Sequence, residues 1–302
     1  MRGLEPLKHG ADMLSSHHSV SSPNPTSPTT DRVPTGPPHS RGCTSPTDRL
    51  RLRLVSDLHL FSQRTRADEF LPEIRHAAAT ADLFVLAGDT FDFKWAHQPC
   101  ADSFADDARN WLARLAREFP RCRFQFLLGN HDHHPALIER LVDLDAELPN
   151  FEWDPWLLRH GNAVFLHGDA ANGLATSERL ENYRRRCENH RRRPGAIRNR
   201  IYDVAIAARV HNGFSRIAFP PRRVAQRLTR YLDHVGHGAD SGTTDVFFGH
   251  THRPLDGYEH GGLRFFNPGA PIKGTPFGIL EATLPLIGGS HFGEPFLSQG
   301  AA

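Results

Sequence analysis

The chain has 302 residues, a formal net charge of +2 and 38% hydrophobic residues. No stretch approaches the roughly 18 apolar residues of a membrane span, and the N-terminus lacks the apolar run of about 7 residues that a cleaved signal peptide requires. Four cysteines (Cys43, Cys100, Cys122 and Cys187) lie far apart without CxxC spacing, which argues against both a thiolate zinc site and a disulfide framework. The expected location is cytoplasmic, either soluble or peripheral at the inner membrane face.

Residues 1–48 hold eight prolines and fourteen Ser/Thr. Such a segment buries too little apolar surface to offset its ordering entropy and reads as a disordered tail. A single folded domain is expected over 49–290. Short apolar runs then recur, each ending in polar residues: "RLRLVSDLH" (51–59), "DLFVLAGD" (82–89), "RFQFLLGNHD" (123–132), "NAVFLHGD" (162–169), "DVFFGHTH" (245–252) and "LRFFNPG" (263–269). Runs of this length bounded by Gly, Asn or Asp predict buried strands. Between the early ones lies a helical pattern at 103–119, with Phe104, Ala108, Trp111, Leu112 and Leu115 on one stripe. Strand–helix alternation implies an α/β fold with largely parallel sheets.

Residues 172–236 break that rhythm and read as a helical insertion between two core strands. The chain has only three lysines, yet fifteen arginines fall between Arg179 and Arg230 against Glu181, Glu188 and Asp203. Apolar residues at helical spacing (Ile201, Val204, Ala208, Phe214, Ile217) lie among those arginines. A basic amphipathic segment of this kind suits an anionic membrane surface or an acidic substrate. The plainer alternative is a helical hairpin packed on the core with a solvated charged face.

Open α/β sheets place ligands at the carboxyl ends of their strands. Five of the six runs end there in His, Asp or Asn: Asp57 and His59, Asp89, Asn130, His167, and His250 with His252. Residues i and i+2 of a strand point the same way, so Asp57/His59 and His250/His252 can each direct two side chains into one pocket if the extended geometry persists. Carboxylate oxygen with imidazole nitrogen suits Mn²⁺, Fe or Zn²⁺ better than Ca²⁺. Seven ligands exceed one tetrahedral ion and suit two ions sharing a carboxylate.

The blocks D-x-H (57–59), G-D (88–89), G-N-H-D (129–132), His167 and G-H-T-H (249–252), in this order, resemble the calcineurin-like metallophosphoesterases. The resemblance spans roughly 50–285. It implies a four-layer α/β/β/α sandwich with a helical insertion, and a dinuclear centre of divalent ions, Mn²⁺ first with Fe or Zn²⁺ as alternatives. By position, one metal takes Asp57, His59 and His252, the other takes Asn130, His167 and His250, and Asp89 bridges them. Two such cations activate a bridging hydroxide and polarise a phosphoryl oxygen for in-line attack. His131 would then be the general acid, a role that suits its unperturbed pKa. Asp132 is expected to be a local hydrogen-bonding partner, His133 and His134 solvated loop residues, Asp169 an orienting group for its strand end, and Asn267 a turn former.

Within that family, "SDLHL" (56–60), "GDTFDFKW" (88–95), "HGD" (167–169) and the arginine-bearing insertion before "GHTHRP" (249–254) resemble the UDP-2,3-diacylglucosamine diphosphatases, whose insertion caps a lipid substrate. Two features depart from them. The best-known branch carries arginine at the position of His131, and "FFNPGAP" (265–271) resembles smaller phosphodiesterase-type members. A phosphate leaving group needs little protonation, whereas an alkoxide benefits from an acid, so His131 shifts weight towards monoesters and diesters. The expected partner is a phosphorylated small molecule or lipid-linked nucleotide. Soluble nucleotides or phosphoproteins form the second reading. A nuclease ranks below both because the arginine block shows no regular interleaving of aromatic residues for base stacking, and a non-catalytic scaffold ranks last.

Overall fold

The computed structural model describes residues 49–285 except 63–64, 96–99 and 189–217. The tail at 1–48 and the apolar positions Ile201, Val204, Ala208, Phe214 and Ile217 lie outside the described residues.

Apolar runs in mid-chain require cover on both faces, and two five-stranded sheets with helices outside them supply it. The first sheet has the order β10-β1-β2-β3-β4, from β1 (Arg49–Val55), β2 (Leu83–Ala87), β3 (Arg123–Leu127), β4 (Phe151–Asp154) and β10 (Leu280–Pro285). Strands β1 to β4 run parallel, with Leu52 opposite Leu83 and Phe124 opposite Phe151, and β10 closes the edge antiparallel. The second sheet has the order β5-β6-β7-β9-β8, from β5 (Leu157–His160), β6 (Ala163–Leu166), β7 (Asp245–Phe248), β8 (Leu255–His260) and β9 (Leu263–Asn267). Here β6, β7 and β9 run parallel and both edge strands are antiparallel.

Alternation along the strands sorts side chains into layers. Leu52, Leu54 and Val85 of the first sheet meet Leu158, Phe165 and Phe247 of the second in a buried seam between the sheets. The opposite face of β2 and β3, with Phe84, Leu86 and Phe126, packs on α1 (Leu71–Thr80), α2 (Ala101–Glu118) and α3 (Pro135–Glu147). The stripe read from sequence at 103–119 faces this layer: Phe104, Ala108, Leu112 and Leu115 are buried and Trp111 packs beside them. On the other side, Val164, Leu166, Val246 and Phe248 pack on α4 (Ser177–Glu188) and α5 (Pro221–His234) through Leu180, Val224, Leu228 and Leu232. The result is the four-layer α/β/β/α sandwich. Full burial of one such side chain is worth about 1.5–3 kcal/mol.

Two details differ from the sequence reading. Both described ends of the 172–236 segment, α4 and α5, pack on the second sheet and form the fourth layer. The strands also end earlier: β1 stops at Val55, β3 at Leu127 and β7 at Phe248. The apolar runs continue into buried turns, where Leu58, Leu60 and Leu128 are covered as fully as strand residues. Hydrophobicity alone does not separate a buried turn from a strand. Among the described residues Cys100, Cys122 and Cys187 are free, and no helix is long and apolar enough to cross a membrane.

Candidate metal centre

The carboxyl ends of β1, β2 and β3 meet those of β6 and β7 across the seam, which brings the polar strand ends together. The extended geometry does not persist there. Asp57, His59, Asp89, His250 and His252 all adopt positive φ, between 48° and 65°, and Phe61 alone joins them among the described non-glycine residues. Left-handed backbone costs such residues about 1–3 kcal/mol each and concentrates at functional sites. The i, i+2 pairs do converge, but not through a continued strand. Alternate left-handed residues turn both side chains inward, where a continued strand was expected to do so.

Three glycines let the turns approach this closely. A Cβ on Gly88 would stand 2.6 Å from His167 Nδ1; on Gly129 it would overlap Asp89, and on Gly249 it would overlap Ser56 and Asp57. Each glycine immediately precedes a candidate ligand.

The seven candidate ligands fall into two groups. In the first, His252 Nε2 lies 3.2 Å from Asp57 Oδ1 and 3.3 Å from His59 Nε2. In the second, His167 Nε2 lies 3.3 Å from Asp89 Oδ2, from Asn130 Oδ1 and from His250 Nδ1. The backbone N–H of His250 donates to Asp57 at 2.8 Å and ties the groups together. Asp57, His59, Asp89 and His167 are buried, and His250 and His252 are half-buried.

The electrostatics are those of a cation site. Burial opposes the charge on Asp57 and Asp89, but the neighbouring histidines hold both carboxyls below the usual range. Burial likewise opposes charge on His167, yet Asp89 outweighs it and pushes the imidazole up to about 10. Burial and the charged His167 push His250 down to about 4.

The donor set fits divalent cations. Nitrogen and oxygen atoms bound about 2.0–2.2 Å from one ion lie about 3–3.5 Å from each other, and the contacts in both groups fall in that range. In each group two imidazole nitrogens face each other at 3.3 Å, where both can turn a lone pair to one cation. Asp57, His59 and His252 form one three-residue group able to hold an ion, and Asp89, His167 and His250 form another.

His131 lies beside this cluster, half-buried, with its ring edge-on to His59 at 4.9 Å. Its N–H donates to Asp89 Oδ1 at 2.7 Å and its Nδ1 lies 2.9 Å from Asp92 Oδ1. Burial disfavours the imidazolium, but Asp92 and Asp89 outweigh it and raise His131 to about 9. The sequence reading missed Asp92. It is 3% exposed, and its second oxygen stands 3.4 Å from His59 Nδ1, outside hydrogen-bonding geometry. Burial opposes its charge, and His131 and His59 hold it far below the usual range. Its only signal was a second acid three residues after Asp89 in "GDTFD".

The supporting residues fill out the site. Asp132 accepts from Gly129 N (2.6 Å) and Thr90 N (2.8 Å), which fastens the Asn130 turn to the Asp89 turn; burial and the Asp89 charge push it up to about 7. Asn267 makes its own turn, accepting from Gly269 N, and also donates to Gly249 O at 2.8 Å. His133 and His134 are not solvated: His134 caps α3 by accepting from Ala136 N and stacks on Phe93, while His133 lies against Glu188. Asp169 is gripped by Arg184.

The calcineurin-like phosphoesterase family model matches residues 50–254, about two thirds of the chain. The chain belongs to that family and is a metal-dependent phosphoester hydrolase. No curated protein matches it. Among solved structures, it is similar to a dimetal phosphatase from Danio rerio, with 11% identity and a TM-score of 0.43, covering 78% of this chain and 93% of the other. A likeness of that size bears on neither activity nor substrate.

Proposed function

We propose that the chain hydrolyses a phosphate ester or pyrophosphate bond at a dinuclear centre, with Mn²⁺ as the first choice of metal. Asp57, His59 and His252 would hold one cation, and Asn130, His167 and His250 the other, with Asp89 shared. When bound, such cations polarise a phosphoryl oxygen and lower the pKa of water. The remaining chemistry belongs to the chain. Asp92 occupies Nδ1 of His131, which leaves Nε2 as the nitrogen able to carry a proton to the leaving oxygen. The Asp89 contact to the His131 backbone fixes that ring relative to the ligands. The carrying observation is the convergence of two donor groups with the His131–Asp92 pair beside them.

The experiment is hydrolysis of nitrophenyl and alkyl phosphate esters by chelator-stripped protein before and after Mn²⁺ is restored. Activity that returns with the metal supports the reading; undiminished activity after stripping contradicts it.

For the substrate we propose UDP-2,3-diacylglucosamine or a similar lipid-linked nucleotide, acted on by cytoplasmic protein that touches the inner membrane face through its arginine-rich insertion. "SDLHL", "GDTFDFKW" and the arginine block support this reading. UMP release from that substrate by Mn²⁺-loaded protein is its test, and release at background overturns it. The His131–Asp92 pair favours a second reading, esters of soluble nucleotides or phosphoproteins with poor leaving groups.

A further inference from the structure

Arg184 is 0% exposed, the largest side chain in the described structure to be fully buried. A buried guanidinium is costly unless it is paired and hydrogen-bonded, and all three nitrogens of this one donate. Nε and Nη2 donate as a fork to Asp169 Oδ2 and Oδ1 at 2.8 and 3.1 Å. Nη1 donates to the carbonyl of Pro155, and the guanidinium lies 4.8 Å over the Trp156 ring. Its partners lie next to the metal centre, Asp169 after β6 and Pro155–Trp156 in the β4–β5 connection. Asp169 stands two residues after His167, and Trp156 lies 6.2 Å from the ring of His133, which follows the Asn130 turn. One turn further along α4, Glu188 Oε1 lies 2.5 Å from His133 Nδ1. Helix α4 thus braces both turns that carry the Asn130 and His167 half of the centre. The described contacts of the Asp57, His59 and His252 half include none with α4.

The geometry points to Arg184 as a positioning residue for the half of the centre built from Asn130, His167 and His250. This rests on the dinuclear reading above. The Asp169 carboxylate, fixed by the fork, sets the course of the chain from β6 through His167 into the turn at Asp169–Asn172. From there Asn172 Nδ2 reaches His250 Nε2 at 3.0 Å. For His250 to present Nδ1 to a cation, Nε2 must hold the proton and Asn172 must turn its carbonyl oxygen towards it. The braced turn places Asn172 to do so. The hydrogen-bonded partners of metal-binding histidines fix ring orientation and tautomer in this way.

The test is stepwise Mn²⁺ titration of chelator-stripped full-length protein by calorimetry, comparing wild type with R184M. A second variant, D169N/R184M, removes both charges and so leaves no buried ion uncompensated. The expected result is two binding steps in wild type, with one weakened about tenfold or more in both variants and the other within about twofold. Equal weakening of both steps in a folded variant, or no weakening, overturns the assignment. R184K keeps the cation without the fork; if it binds both ions as wild type does, the assignment also fails. Failure of all three variants to fold would make Arg184 a residue of the fold alone and overturn it too. Absence of any Mn²⁺ binding by wild type would instead contradict the dinuclear reading.

Discussion

His131 and Asp92 show how a single contact sets a chemical role. The carboxylate at 2.9 Å favours the protonated imidazole, the form a general acid needs. Replacing His131 with Asn should slow hydrolysis of alkyl esters by about 10²–10⁴-fold. Nitrophenyl esters, whose leaving group needs little proton, should lose far less, and equal losses measured as kcat/KM contradict the acid role. D92N should move the basic limb of the pH–rate profile down from near 9 towards the ordinary 6.5. Removing a carboxylate that favours the charged ring can only lower its pKa. Bound cations oppose the proton in both proteins, so the difference between the two profiles is the observable. The candidate ligands were legible in the sequence because each sits at a polar break after an apolar run. Asp92 was not, since its significance lies in which histidines it faces, and that depends on how the Asp89 and Asn130 turns pack.

At the scale of elements, the site is a set of five tight turns rather than a set of strands. Apolar runs located β1, β2, β3, β6, β7 and β9 but carried them past their ends, because buried turns such as Leu58–Leu60 are as apolar as strands. The half-exposed edge strands β4, β5, β8 and β10 carry Glu, Asp, His and Thr among their apolar residues and gave no such signal. The turns depend on glycines for closeness and on Asp132 for attachment. Gly249→Ala places a methyl against Ser56 and Asp57 and should destabilise the protein by about 1–3 kcal/mol, the usual scale of overpacking. Denaturant unfolding of the metal-free protein reads this directly, and an unchanged midpoint would show that the turns can yield. Asp132→Ala leaves the N–H groups of Gly129 and Thr90 without their acceptor. Each costs about 1–3 kcal/mol, and hydrogen exchange at Thr90 should speed accordingly; unchanged exchange there contradicts the tether.

For the whole molecule, the centre exists only when the sandwich is assembled. Asp57, His59, Asp89 and Asn130 come from the first sheet, and His167, His250 and His252 from the second. Ligands divided in this way make metal binding favour the folded state, by about 2.7 kcal/mol per site at a hundredfold excess over Kd. Thermal unfolding should therefore rise clearly when Mn²⁺ is added to stripped protein. The α/β class was legible because the internal strands are apolar runs alternating with helical patterns, while the four-layer order came from the family resemblance. The fourth layer was partly hidden, because α4 and α5 look like a charged insertion until Leu180, Val224 and Leu228 are seen against the second sheet. The most direct measurement on the molecule is the metal content of active protein, taken by titrating stripped chain with Mn²⁺ while hydrolysis is followed. Two ions per chain, with hydrolysis appearing as the second site fills and both lost in D89N, is the expected result. Full hydrolysis with one ion or none, or an undiminished pair of sites in D89N, would contradict a shared dinuclear centre.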